Sequence, residues 1–270
     1  MQTEDKKLGR VVQQPPIIEG DWLSQIPYTV LVEDNWFTKQ LYKFLPHHRL
    51  APLLYEVYIA TQTFIRSSEI SRRYKDAKDL LVNLGSGPQG QPGWVNVDAV
   101  PWKGVNCIYD CRKSLPFPSN SVRGILCEHF FEHIDYTEEA PYFLAECYRV
   151  LQPEGVIRLI VPDAGKYLQG YSQEGWEELR QIRPLDSENR DVHFGTQYQT
   201  KMELINVVFR QGFEHTYAYD YPTLELLFAQ AGFSAIQTQD YGKSLMDELC
   251  IDLEARKPES LYVEAVKTQD

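Results

Sequence analysis

The sequence lacks any uninterrupted apolar run long enough to cross a bilayer. Its most apolar early stretch, Leu50 to Ile65, is broken by Glu56 and several polar residues, and a span needs roughly 20 consecutive apolar residues. The first ten residues, MQTEDKKLGR, hold no apolar core of a secretory leader. Cysteine is sparse: Cys107, Cys111, Cys127, Cys147 and Cys250 form no CxxC pair. An odd count in a chain of this size argues against a disulfide framework and for a reducing, cytoplasmic setting. Positive charge is in deficit, with 27 Lys plus Arg against 38 Asp plus Glu and a net charge of −11. That excludes sequence-independent nucleic-acid binding, which needs a basic face, and a polybasic membrane anchor. Internal repeats and low-complexity tracts are also missing.

What remains is an ordinary globular composition. The 270 residues are 43% hydrophobic and 24% charged, enough chain for one large domain or two small ones with a proper core. Aromatics reach 13%, with 17 Tyr, and Tyr offers amphipathic contact surface to ligands. Residues 1–45, with Pro15, Pro16 and Pro27, read as an N-terminal arm. Leu53, Leu54, Val57, Tyr58, Thr61 and Phe64 recur at helical spacing and predict a helix over 46–77.

Five short apolar runs follow: 80–84, 94–97, 105–109, 122–127 and 156–161. The first ends in Gly85-Ser86-Gly87. The others end at Asp98, Asp110, Glu128-His129 and Pro162-Asp163. A helical segment, 137–151, precedes the fifth run, so a mostly parallel α/β sheet is expected. A second helix is predicted over 223–231, closed by Gly232, and two last strands near 234–238 and 261–266. Ligands of open α/β sheets bind beyond the carboxyl ends of the strands. There a Gly-x-Gly bend allows close backbone approach. An Asp ending the second strand can accept from both ribose hydroxyls, and one ending the third can accept from an adenine amino group.

In order, these segments resemble the class I S-adenosylmethionine-dependent methyltransferases, of the type 11 kind. The likeness runs over about residues 80–267. Val82-Asn83-Leu84-Gly85-Ser86-Gly87 is similar to the family's first motif, with Asn83 where an Asp is usual. Leu115-Pro116-Phe117-Pro118 before Ser121-Val122 resembles its "LPF" segment. Cys127 to Ile134 resembles "H-V-L-E-H". Glu146 to Gly155 resembles "E-x-x-R-V-L-K-P-G-G", with Glu154 in place of a Gly, and Leu226 to Phe233 also fits. Only residues 85–93 separate the first two strands, so the first crossover helix is truncated or replaced by a loop.

The resemblance implies a Rossmann-like, doubly wound, mostly parallel sheet with an antiparallel last strand. To this are added an N-terminal helical arm (1–78) and a helical cap insertion (about 165–221) in a methyltransferase domain of 79–267. It implies S-adenosylmethionine as cofactor, with S-adenosylhomocysteine as product, held by Gly85, Ser86, Gly87, Asp98, Asp110, Cys111, Glu128 and His129. For an oxygen acceptor the candidate catalytic residues are His129, His133 and Asp163. From the cap, Tyr167, His193, Tyr198, Arg210 and His215 are candidates for substrate contact, His193 and His215 also as bases. The expected acceptor is a small hydroxylated metabolite or sugar, with no nucleic-acid partner; the oligomeric state stays open. Two other readings compete: a non-catalytic cofactor-binding scaffold, and a zinc hydrolase built on His129-x-x-Glu132-His133, which would need both histidines on one helix face. No third zinc ligand is evident, so no metal ligand is assigned; a divalent ion is allowed at these residues but not expected. A nicotinamide dehydrogenase fits poorly, because the G-x-G-x-x-G pattern is followed by too short a link.

Overall fold

The central strand segments are mostly apolar and are buried on both sides. In the computed structural model, which describes residues 47–192, 195–211 and 214–269, they form one seven-stranded sheet. The strands are β1 (Leu80–Leu84), β2 (Val95–Asp98), β3 (Cys107–Ile108), β4 (Val122–Glu128), β5 (Leu151–Pro162), β6 (Phe233–Gln239) and β7 (Ser260–Lys267). Their order is β3-β2-β1-β4-β5-β7-β6. The first five are parallel, and β7 runs antiparallel to both β5 and β6. The order reverses between β1 and β4, so the tips of those two strands flank the switch point where ligands of such sheets bind.

One sheet face carries Ile125, Cys127, Ile157, Leu159, Val161 and Val263. It packs against α1 (His47–Tyr74), α2 (Glu139–Val150) and α6 (Tyr221–Gln230) through Ile70, Phe143, Leu144, Leu224 and Phe228. The opposite face, with Leu126, Val156, Ile160 and Tyr262, is covered by irregular chain bearing Trp94, Tyr241, Met246, Leu249 and Ile251. On that face Arg158 of β5 lies opposite Glu264 of β7. Its fully buried guanidinium pairs with Glu264 (2.9 Å) and Asp252 (2.6 Å).

Three helices, α3 (Ala164–Ser172), α4 (Glu177–Ile182) and α5 (Lys201–Arg210), occupy the predicted cap. They enclose a small core of their own, made of Tyr167, Leu179, Tyr198, Leu204, Ile205 and Val208. Among the described residues no helix is long and apolar enough to cross a membrane.

Departures from expectation have local causes. The third strand shrinks to two residues at the sheet edge. The fifth begins at Leu151 because residues 152–155 bulge out between the pairs Val122–Leu151 and Gly124–Val156. Glu154 sits at φ +64, the left-handed conformation a glycine would take without strain. Helix α6 starts two residues early because Asp220 caps it, accepting from Thr223 N at 3.0 Å. No helix joins β1 to β2, and α1 packs into the main core rather than standing apart as an arm. Residues 1–45, the expected arm, lie outside the described residues.

Candidate active site

Beyond Leu84 the chain turns on Gly85 (φ +68) and Gly87 (φ +48), conformations that favour glycine. The turn is pinned to β2. Ser86 N donates to Val97 O (3.0 Å), and Gly87 N donates to Asp98 Oδ2 (2.9 Å). The other oxygen of Asp98 accepts from Val100 N (2.8 Å). Burial pushes the Asp98 carboxyl above its ordinary value, partly offset by these two N–H donors. The Ser86 hydroxyl is buried without a hydrogen-bond partner, a cost proteins seldom leave standing.

Strand β3 delivers Asp110 and Cys111 to the same sheet edge. Asp110 is buried, and its oxygens accept from Arg112 Nε (2.9 Å), Nη2 (3.1 Å) and N (3.0 Å). Arg112 also grips Glu56 of α1 (2.9 and 2.7 Å), while Asp110 N donates to Thr63 Oγ1 (3.0 Å). The expected free acceptor is thus a neutralised carboxylate fastened to α1. Burial, together with the charge of Asp98, drives the buried Cys111 thiol well up, so it is a neutral wall.

At the β4 tip, Glu128 accepts from Leu253 N (3.1 Å), and burial raises its pKa. With Asn83, Gly85, Ser86, Gln89, Gln91, Leu126, Ile251 and Leu253 it lines a cavity of ≈ 30 Å³, room for about one or two waters. Phe130 lies over the glycine turn. A Cβ on Gly85 would stand 2.4 Å from Phe130 Cγ, whereas one on Gly87 would meet nothing within 4 Å. Phe130 was not singled out from sequence; its one signal is an aromatic pair directly after a strand-end acid.

His129 takes φ +51, a strained setting for a side chain. A 3₁₀ turn, Phe131–His133, follows, so His129 and His133 do not share a helix face and the metalloprotease geometry is not formed. Instead Glu132, nearly fully buried, faces His129 Nδ1 (3.3 Å) and His215 Nε2 (3.9 Å). Desolvation would raise the Glu132 pKa, but the three imidazoles around it win and hold it at about 2. Burial lowers His215 from its ordinary value, which favours the neutral ring.

Residues 100–159 match the family profile described as "Methyltransferase domain". They run from the β2 tip through β5, the half of the sheet that carries the Asp110, Glu128 and His129 tips. Over these 60 residues the chain is similar to that methyltransferase family. Solved structures resemble it at low identity. A possible histamine N-methyltransferase from Thermotoga maritima is 14% identical, with 79% of this chain and 95% of that one covered and a TM-score of 0.44. An Archaeoglobus fulgidus S-adenosylmethionine-dependent methyltransferase is 16% identical, covering 86% and 100%, with a TM-score of 0.42. Human N-acetylserotonin methyltransferase, solved with S-adenosylmethionine, is 14% identical over 76% of this chain and about half (52%) of its own length, with a TM-score of 0.40. No curated protein matches the sequence significantly.

The cap residues divide. Tyr167 is fully buried and donates to Glu259 Oε2 (2.9 Å), and Tyr198 is buried in the same small core. Both pack the cap, and the Tyr167 hydroxyl is spent on Glu259. Asp163 is the N-cap of α3, accepting from Lys166 N (3.2 Å), so its carboxylate is committed to the helix rather than held as a base. Arg210 is exposed at the end of α5. His193 lies outside the described residues. His215 alone of this set reaches the β4 tip, in edge contact with His133 at 4.7 Å between ring centroids.

Proposed function

We propose that the protein is an S-adenosylmethionine-dependent methyltransferase that methylates an oxygen of a small hydroxylated metabolite or sugar, releasing S-adenosylhomocysteine. The observation that carries the reading is the Asp98 carboxylate. It is buried, locked by two backbone N–H groups, and set beside the partnerless Ser86 hydroxyl at the switch point. That donor and acceptor set fits the ribose of S-adenosylmethionine, with Gly85 and Gly87 allowing the backbone to come close. The cofactor supplies a methyl group already activated on a sulfonium. Asp98 holds ribose hydroxyls, Ser86 and the glycine turn contact the neighbouring part of the cofactor, and the Asp110–Cys111 corner walls the adenine. Glu128 sets negative charge at the β4 tip, which favours a nearby cation.

The protein's remaining tasks are to align the acceptor, exclude water and remove a proton. The imidazole and carboxylate groups of His129, Glu132, His133 and His215 stand at the same tip, which favours an oxygen acceptor over one that needs no base. The acidic surface favours a small neutral or cationic substrate over a polyanion. Free thiols at all five cysteines are in keeping with a cytoplasmic site of action. The test is calorimetry with S-adenosylhomocysteine, followed by mass-spectrometric detection of methyl transfer from S-adenosylmethionine across polyol, sugar and phenol acceptors. Absence of cofactor binding would overturn the reading.

A further inference from the structure

Glu132 is 2% exposed, and neither carboxylate oxygen has a hydrogen-bond partner. A buried carboxylate with no hydrogen-bond partner is costly for a fold to hold. Its neighbours make the situation more specific. Ser260 spends its one hydroxyl proton on Arg256 O (2.8 Å), so at 2.8 Å it accepts from His129 Nε2–H. His215 Nδ1 meets Val208 O (2.6 Å) and His133 Nδ1 meets Glu214 O (3.1 Å). Carbonyls only accept, so both Nδ1 atoms carry protons.

In the neutral form, each ring then presents a bare lone pair on its other nitrogen. Those of His129 and His215 point at Glu132 Oε1, from 3.3 and 3.9 Å. Donor atoms of Glu132, His133 and His215 all lie within 4.8 Å of one another. Lone pairs converging on an anion repel unless a positive charge lies between them.

We propose that His129 Nδ1, Glu132, His133 Nε2 and His215 Nε2 form a binding site for one divalent transition-metal ion. Three imidazole nitrogens and one carboxylate oxygen suit Zn²⁺, Co²⁺, Fe²⁺ or Mn²⁺ rather than Ca²⁺. Bond lengths near 2.1 Å set tetrahedral donor separations of about 3.4 Å. The 3.3 Å pair already meets that distance, and the donors of Glu132, His133 and His215 need closure of up to about 1.4 Å. Ser260, Val208 and Glu214 supply the outer hydrogen bonds that orient metal-bound histidines. His215 comes from the cap, so an ion here would also fasten the cap to the β4 tip. On the methyl-transfer reading above, it would polarise an acceptor oxygen, but the site itself does not depend on that reading.

The test uses the full chain stripped with chelator in metal-free buffer and titrated with Zn²⁺ by calorimetry and with Co²⁺ by visible spectroscopy. One ion per chain is expected, with ligand-field bands. His215→Ala and His133→Ala should each weaken binding by about 100-fold or more, and Ser260→Ala by about 10-fold. S-adenosylhomocysteine affinity should survive in His133→Ala, so loss of metal and loss of cofactor are read separately. No saturable binding at millimolar metal, or wild-type affinity in a folded His215→Ala, would overturn the site.

Discussion

Replacing Asp98 interrogates the proposed cofactor site most directly. Its two oxygens each accept one backbone N–H, from Gly87 and Val100, and keep further lone pairs for ligand hydroxyls. Asp98→Ala removes those acceptors and strands both N–H groups, so two losses must be separated. In the ligand-free protein the stranded donors should lower stability by about 1–3 kcal/mol, read as a shift in the urea midpoint. For the ligand, losing hydrogen bonds to buried hydroxyls should weaken S-adenosylhomocysteine by a further 1–3 kcal/mol or about 5- to 150-fold, read by calorimetry below the unfolding transition. Asp98→Asn sharpens the experiment. Its amide keeps one acceptor but turns a donor toward either Gly87 N–H or Val100 N–H, so it should bind no better than Ala despite its shape. Because burial raises the Asp98 pKa, wild-type affinity should also begin to fall on acidification at a higher pH than an ordinary aspartate would give, and this limb should vanish in Asp98→Ala. Equal affinity in wild type and Asp98→Ala, with both folded, would refute the assignment.

The two turn glycines should respond differently to alanine. Gly87→Ala should cost only the left-handed backbone term, about 1–2 kcal/mol, whereas Gly85→Ala adds a clash with Phe130 and should cost about 1–3 kcal/mol more. Thermal unfolding would show Phe130→Ala relieving most of that second part in the double variant; no relief would mean the ring is not what crowds Gly85. Tyr167→Phe should lower stability by about 1 kcal/mol in urea and leave the acceptor KM unchanged, since its hydroxyl serves Glu259. A raised KM would return Tyr167 to the substrate site. For Glu146, desolvation would raise the pKa, but Arg149, Ser114 and the Leu115 N–H outweigh it and lower it. The stability it contributes is therefore complete above its ordinary value of 4.5 and lost as pH falls toward the lower folded value. Urea midpoints from pH 6 downward should decline less steeply in Glu146→Gln than in wild type.

Strands announced themselves in the sequence because a residue run buried on both faces must be apolar throughout, as in Val156 to Val161. The Gly85 turn and Asp98 were legible because a bend without Cβ and an acid at a strand tip have few other uses in that order. What escaped is set by distance along the chain. Nothing local says that Arg112 will take Asp110 out of play by bridging to Glu56, or that His215 will arrive beside His133. Tyr167 and Tyr198 misled for a chemical reason: a tyrosine that packs a cap and one that stacks on a sugar carry the same apolar ring and polar tip. Asp163 was ambiguous in the same way, since a strand-end carboxylate also makes a good helix cap.

The loop between β1 and β2 changes what supports the corner proposed for adenine. Helix α1, which precedes the whole sheet, reaches that corner through Glu56 and Thr63 and seals the core beneath it with Ile70 and Tyr74, the latter edge-on to Phe117 at 5.1 Å. Trimming the chain at residue 79, where the recognisable motifs begin, would strip the brace from Arg112 and bare the flank of β3. The folded unit is therefore longer than its motifs, and the proposed nucleoside corner is coupled to a helix that a motif search would discard.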